Sequence, residues 1–289
     1  MKITRRAIVL ALSGLVAAGV ATGLGLTTQQ VFAQDAPDAP TLNELFVPQQ
    51  HLSDTALDFV QRTTGKLTAT FSDGNTQSAT AVVVASESLD MLLTSGKVLF
   101  DNRGEGPVEV RFVPARRLFE SLINEPGPYG TWTARRWVSA PHFDQNTPVT
   151  AESNLAMVLL NTRNGLHIQQ AVGGAQGLCF ANCPRAGHFH VFAYHTGHDD
   201  GRTLDTTCQV NAKFTRPELP YGTCIEGNPA LGAGSSGAPV IANLDPNTGV
   251  GLVVAVNTWI TTLSDGKKSN GGTYLGRLAS AMYEGYRRQ

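Results

Sequence analysis

The residues with the clearest chemical potential form a short loop of small side chains, Gly234-Ser235-Ser236-Gly237. A serine that attacks a carbonyl carbon needs a tight turn that exposes its hydroxyl, and glycine permits such a turn. The attack also needs backbone N–H groups directed at the oxyanion that forms, and Gly234 and Ser236 can supply two of them. The loop therefore predicts acyl-transfer chemistry at Ser236, with an ordinary small-residue turn as the alternative explanation.

Histidines and cysteines are the other residues whose types and spacing could support chemistry. His188 and His190 are two residues apart in a histidine-rich stretch, so in a strand their side chains would lie on the same face. A metal site there is conceivable, but an exposed polar strand and turn is the simpler explanation, and we expect no metal and no cofactor. The short spacing of Cys179 and Cys183 favours a local disulfide over half of a metal site in an exported chain.

The elements that must position these residues are short β-rich runs separated by Gly, Asn, Asp and Pro. This spacing is typical of an all-β barrel or sandwich. One amphipathic helix is predicted over Leu275–Tyr286, where apolar residues recur at intervals of three and four. The clearest predicted strands are Lys66–Phe71, Ala79–Ala85, Met91–Thr94, Val108–Val113, Thr131–Val138, Leu155–Leu160, Phe189–Tyr194, Cys208–Phe214, Ala238–Ala242 and Gly251–Trp259.

The serine loop and its continuation to Val240 resemble the serine motif of the trypsin-like peptidases, Gly-x-Ser-Gly-Gly-Pro, with Ala238 in place of the second glycine. The resemblance covers roughly residues 55–289 and implies two six-stranded antiparallel β-barrels followed by a C-terminal helix. It also implies a disulfide between Cys208 and Cys224, just before the serine loop. Further likeness to secreted actinobacterial members lies in Tyr129–Thr133, Trp137–Val138, Phe192–Tyr194, Gly201–Leu204 and Val256–Thr258.

The same resemblance implies that two catalytic residues have been replaced. In the family, the base histidine ends a Leu-Thr-x-x-His-Cys segment, and the matching stretch Leu93–Val98 has Lys97 at that position. The orienting aspartate opens an Asp-Leu-Ala strand, and the matching stretch begins with Asn154. A solvated lysine with a pKa of about 10.4 is protonated at neutral pH and would donate to Ser236 instead of accepting its proton.

These replacements predict a pseudopeptidase that binds a peptide or protein in the cleft between the barrels. Two alternatives retain hydrolysis by Ser236: a neutral Lys97 could act as the base, or His142 could do so with another aspartate. A further alternative is a cell-envelope structural module with a vestigial cleft. The carboxylates considered for His142 are Asp144, Asp199 and Asp205.

The N-terminus predicts export. A basic opening precedes the uncharged stretch Ala7–Leu26 and a small-residue site that ends at Ala33, which is typical of a signal peptide over residues 1–33. Thr4-Arg5-Arg6 resembles a twin-arginine signal, and an uncleaved membrane anchor is the alternative. We expect cleavage after Ala33, an exposed lead-in over 34–54, a first barrel over 55–161, and a second barrel with the helix over 162–289.

Charge gives no indication of a nucleic-acid partner. The formal net charge is −1, and residues 34–289 contain 19 basic and 23 acidic residues. We expect a secreted, extracellular monomer with no membrane contact after cleavage. Ala230, six positions before the serine, is uncharged, so a pocket for arginine or lysine side chains is not indicated.

Overall fold

The structure is a computed structural model that describes residues 51–116, 127–140, 153–195, 209–216, 219–224, 232–262 and 268–289. All of them belong to the compact unit Pro40–Gln289. The predicted signal peptide and most of the predicted lead-in lie outside the described residues.

Six antiparallel strands close into a barrel in the order β1-β2-β3-β6-β5-β4. They are β1 (Thr64–Thr70), β2 (Thr76–Val83), β3 (Met91–Thr94), β4 (Glu109–Pro114), β5 (Trp132–Ser139) and β6 (Ala156–Leu160). Strands β3 and β6 are buried along their whole length because they serve two cores. Leu92 and Val158 pack with Phe112 in one cluster, whereas Met91 and Met157 belong to the cluster shared with the second half. Burial on both faces explains their continuous apolar sequences.

The second half contains a seven-stranded sheet in the order β11-β8-β9-β10-β13-β12-β7. Its strands are β7 (Gly177–Leu178), β8 (Ala186–Val191), β9 (Gln209–Arg216), β10 (Leu219–Cys224), β11 (Pro239–Ala242), β12 (Leu252–Thr262) and β13 (Lys268–Tyr274). Strand β11 also pairs with β12, so six antiparallel strands are joined in a ring, while β7 runs parallel to β12. This arrangement is consistent with the predicted second barrel.

Four short helices complete the described structure: α1 (Asp54–Thr63), a 3-10 turn (Gly96–Leu99), α2 (Ile168–Val172) and α3 (Arg277–Tyr286). Helix α3 packs Ala279 and Met282 into the cluster that joins the two halves. Among these described helices, none has the length and apolar character needed to cross a bilayer.

Helix α1 precedes the first barrel but is held against the turn between β11 and β12. Ser53 caps the helix by accepting from the N–H of Ala56 at 3.1 Å, and its own N–H donates to the Pro246 carbonyl at 2.8 Å. A Cβ on Gly249 would lie 2.3 Å from the Ala56 carbonyl oxygen. The helix therefore ties the start of the first barrel to the second sheet.

The predicted all-β class and the closing helix are confirmed. That helix begins at Arg277, two residues later than predicted. The interpretation that only the C-terminal tail is helical is wrong, because α1 forms where its apolar face can dock. The Cys179–Cys183 disulfide is present. Cys208 lies outside the described residues, so its pairing with Cys224 stays a prediction.

Candidate functional site

The loop that carries Ser236 is shaped by its own backbone. The N–H of Ser235 donates to the Gly232 carbonyl at 3.2 Å, and Gly234 has a φ of +95°, a conformation that glycine adopts without strain. Within the described part of the chain, the N–H groups of Gly234 and Ser236 have no acceptor. These are the two N–H groups that the sequence predicts as donors to an oxyanion.

The first barrel holds this loop through β2 and the end of β3. The N–H of Thr80 donates to the Ser236 carbonyl at 2.9 Å, and the Thr80 hydroxyl donates to the Gly234 carbonyl at 3.1 Å. Gly237 has a φ of +84°, and a Cβ there would lie 2.1 Å from the hydroxyl oxygen of Thr94. Both conformation and space require glycine at this position.

Asn257 on β12 holds the loop from the second sheet. Its carbonyl accepts from the N–H of Gly237 at 2.7 Å, and its N–H donates to the Ala238 carbonyl at 2.8 Å. Its side-chain amide donates to the Ser235 hydroxyl at 3.0 Å and to the Ser235 carbonyl at 3.1 Å. Because Asn257 is buried, these bonds are shielded from water and define the turn.

Asn154 and Lys97 are hydrogen-bonded neighbours. The Asn154 Oδ1 accepts from the N–H of Lys97 at 2.9 Å and from the Ser95 hydroxyl at 2.8 Å. A carbonyl oxygen has two lone pairs, and both are engaged here. The other side-chain atom, Nδ2, only donates. Asn154 therefore has no means of taking up a proton as a carboxylate would.

The ammonium of Lys97 donates to the carbonyl oxygen of Thr258, the residue that follows Asn257. Burial lowers the pKa of Lys97 below its ordinary value, because the charged form loses solvation. The expectation of a solvated lysine with an ordinary pKa is therefore wrong. Its burial arises from packing against the second sheet, which no local sequence pattern reports.

Comparison with solved structures identifies the fold. The thermostable serine protease AL20 from an extremophilic microorganism matches with a TM-score of 0.65 and 23% identity, over 79% of this chain and 98% of that one. Protease Anisep from Arthrobacter nicotinovorans matches with a TM-score of 0.64 and 22% identity, over 82% and 99%. The chain has the trypsin-like fold.

A third solved structure with the trypsin-like fold is HL collagenase, which matches with a TM-score of 0.57 and 14% identity, over 82% of this chain and 95% of that one. No protein-family model and no curated protein sequence matches the chain. At these identities the likeness shows the fold alone.

Within this trypsin-like fold, Lys97 and Asn154 are hydrogen-bonded to each other, and the loop that carries Ser236 contacts the same part of the first barrel through Gly237. A Cβ on Gly237 would lie 2.9 Å from the backbone nitrogen of Ser95, two residues before Lys97. The far end of Lys97 binds Thr258. Several residues considered from sequence lie outside the described ranges: His142, Asp144, Asp199, Asp205, Cys208 and Ala230.

His188 and His190 share a face of β8, as their spacing predicts, and their rings meet with centroids 4.9 Å apart. The expectation of an exposed strand is wrong for His190, which is 2% exposed and stacks on Phe192. Burial, followed by the neighbouring His188, lowers the pKa of His190 from 6.5 to about 4. In the described residues, no three His, Cys, Asp or Glu side chains converge as a metal site requires.

Sequence analysis missed the residues that shape the site within the trypsin-like fold. Thr80 and Ser95 lie in predicted strand and loop segments without any local mark of their role. Asn257 was noted only as part of the likeness at Val256–Thr258. The available signal was its position, because a polar residue directly follows the buried apolar run Leu252–Val256.

Proposed function

We propose that this protein is a pseudopeptidase of the trypsin-like fold, which binds a peptide or protein between its two halves without cutting it. The observation that carries the proposal is the pairing of Lys97 with Asn154, whose Oδ1 accepts from the Lys97 N–H at 2.9 Å. A serine hydroxyl attacks efficiently only when a neighbouring base takes its proton. A lysine ammonium and an asparagine amide nitrogen only donate.

Retention of binding is supported by the order of the serine loop. Hydrogen bonds from Thr80 and Asn257 hold the loop on both sides. Among the described residues, the N–H groups of Gly234 and Ser236 have no acceptor, so they can donate to a carbonyl oxygen of a ligand. Ligand sites commonly lie in clefts between such packed halves. The site therefore keeps its means of holding a ligand while lacking the means of activating Ser236.

A fluorophosphonate probe tests the proposal at pH 7. The wild-type protein should remain unlabelled, and bound peptides should be recovered at their intact mass. The double variant Lys97→His with Asn154→Asp should label at Ser236, because a general base contributes about 10²–10⁴-fold to such reactions. Adding Ser236→Ala to that variant should abolish labelling, which assigns the reaction to this hydroxyl. Stoichiometric labelling of the wild-type protein at Ser236 would overturn the proposal.

A serine hydrolase that uses Lys97 as its base is the second candidate. The observation that favours it is burial, which lowers the pKa of Lys97 and increases the neutral fraction at a given pH. This candidate predicts hydrolysis of casein or small esters that rises with pH as Lys97 deprotonates. Ser236→Ala and Lys97→Met should each abolish the hydrolysis. A wild-type protein without turnover between pH 7 and 10 would eliminate it.

A further inference from the structure

The Lys97 ammonium is a partly buried cation without an anionic partner among the described residues. Its pKa is lowered by burial alone, and its one hydrogen bond goes to the neutral Thr258 carbonyl. Buried charges in proteins are normally paired, because an unpaired charge loses solvation without compensation. An ammonium has three protons, so two remain for a ligand. The Thr258 hydroxyl is also buried and has no partner in the described part of the chain.

The serine loop and this cation are both bound by consecutive residues of β12, Asn257 and Thr258. Gly237 donates its N–H to the Asn257 carbonyl, and Asn257 directly precedes the residue that holds the ammonium. The N–H groups of Ser235, Gly237 and Ala238 donate to backbone carbonyls, whereas those of Gly234 and Ser236 have no acceptor among the described residues. The region therefore offers two backbone N–H groups, an ammonium and a serine hydroxyl, and Asn154, which is hydrogen-bonded to the backbone of Lys97, contributes no negative charge.

We propose that this site binds the free C-terminal carboxylate of a peptide, with one oxygen on the N–H groups of Gly234 and Ser236 and the other on the Lys97 ammonium. The assignment rests on the proposed function, since it names the ligand end that the pseudopeptidase recognises. A carboxylate has two acceptor oxygens and one negative charge, which complements this set of donors. Capture of a terminal carboxylate by backbone N–H groups is an established mode of peptide recognition.

The test compares two N-acetylated random hexapeptide libraries, one with free C-terminal carboxylates and one amidated. Binding is measured by affinity selection and mass spectrometry, and selected sequences are then titrated individually in both forms. The acid should bind about tenfold or more tightly than its amide, because a charge-assisted hydrogen bond contributes about 1.5–3 kcal/mol. Lys97→Met should remove this preference and Lys97→Arg should retain part of it. Arg111→Met removes an exposed cation of the same barrel and should leave the preference intact.

Three outcomes would overturn the assignment. Equal binding of acid and amide would reject carboxylate recognition while leaving the pseudopeptidase proposal standing. If an amidated peptide with an internal aspartate binds as tightly as the free acid, the site recognises side-chain carboxylates and not the C-terminus. Binding of neither library would reject both proposals together. Thermal unfolding of each Lys97 variant shows whether it is still folded, so that loss of the preference for the acid is not confused with loss of the fold.

Discussion

Gly237 is a residue at which the two halves of the molecule meet in the candidate site. It lies in the serine loop of the second half and contacts the first barrel at Thr80 and Thr94. Its N–H also donates to Asn257 at 2.7 Å. A single position thus couples the shape of the loop to the packing of two sheets, and a side chain there would disturb both.

Gly237→Ala should lower the free energy of unfolding by roughly 3 kcal/mol or more, because left-handed strain adds to overpacking. Gly74→Ala is a matched control, since Gly74 has a φ of +83° and a Cβ there would meet nothing within 4 Å. The control should lose only about 1–2 kcal/mol, from backbone strain. Urea unfolding measures both variants. Equal losses would show that the contact with Thr94 is unimportant.

Strand β8 and the residue that follows it carry a row of three rings, with His188, His190 and Phe192 spaced at intervals of two residues. The middle ring is buried and has its pKa lowered to about 4. A protonated His190 would place a charge in a poorly solvated position beside another imidazole. The unfolded chain therefore binds this proton more readily than the folded protein does.

Acidification should destabilise the protein through His190. Its contribution to stability is complete above pH 6.5 and falls progressively toward pH 4, by about 3 kcal/mol in total. His190→Phe keeps an aromatic ring in place. In this variant the free energy of unfolding should change less between pH 6.5 and pH 4. His51→Gln, at an exposed histidine, should leave the profile unchanged. An unchanged slope in the His190 variant would contradict the assignment.

Strands with a continuous apolar run could be predicted from the sequence. Elements that depend on contacts with residues far along the chain could not. Strands β3 and β6 were recognisable from their continuous apolar runs. Strand β13 contains Gly271 and Gly272 and is stabilised by pairing with β12, which precedes it, and with the more distant β10. Helix α1 buries one side, Ala56, Phe59 and Val60, and is bound by the turn between β11 and β12, far along the chain. Likewise, Lys97 was placed by motif, but its burial and lowered pKa come from residues far along the chain.

Gln176 joins three parts of the whole molecule and is fully buried. Its Nε2 donates to the Thr63 hydroxyl of α1 at 3.2 Å and to the Gly249 carbonyl at 3.0 Å. Its Oε1 accepts from the N–H of Gly251 at 2.8 Å, and its backbone N–H donates to Val83 of β2 at 3.0 Å. One amide side chain thus satisfies polar groups from helix α1 and the turn before β12.

Gln176→Met should reduce the free energy of unfolding by about 3 kcal/mol, because the buried Gly249 carbonyl and Gly251 N–H lose their partners. Methionine has a similar volume, so the loss reports hydrogen bonding more than packing. Gln170→Met is the control, since the Gln170 side chain is exposed and accepts one bond from His167. Its loss should stay below about 1 kcal/mol. Denaturant unfolding followed by tryptophan fluorescence compares the two, and similar losses would argue against a linking role for Gln176.

The bonds from Thr80 to the serine loop would be lost if the two halves of the molecule were produced as separate polypeptides. The loop belongs to the second half by sequence, yet its carbonyl groups at Gly234 and Ser236 are satisfied by the first barrel. A fragment that contains only the second sheet would leave those carbonyls to water and would lack the surface that shapes the turn. The shape of the candidate site is thus a property of both halves, and it would arise only when the complementary fragments reassemble.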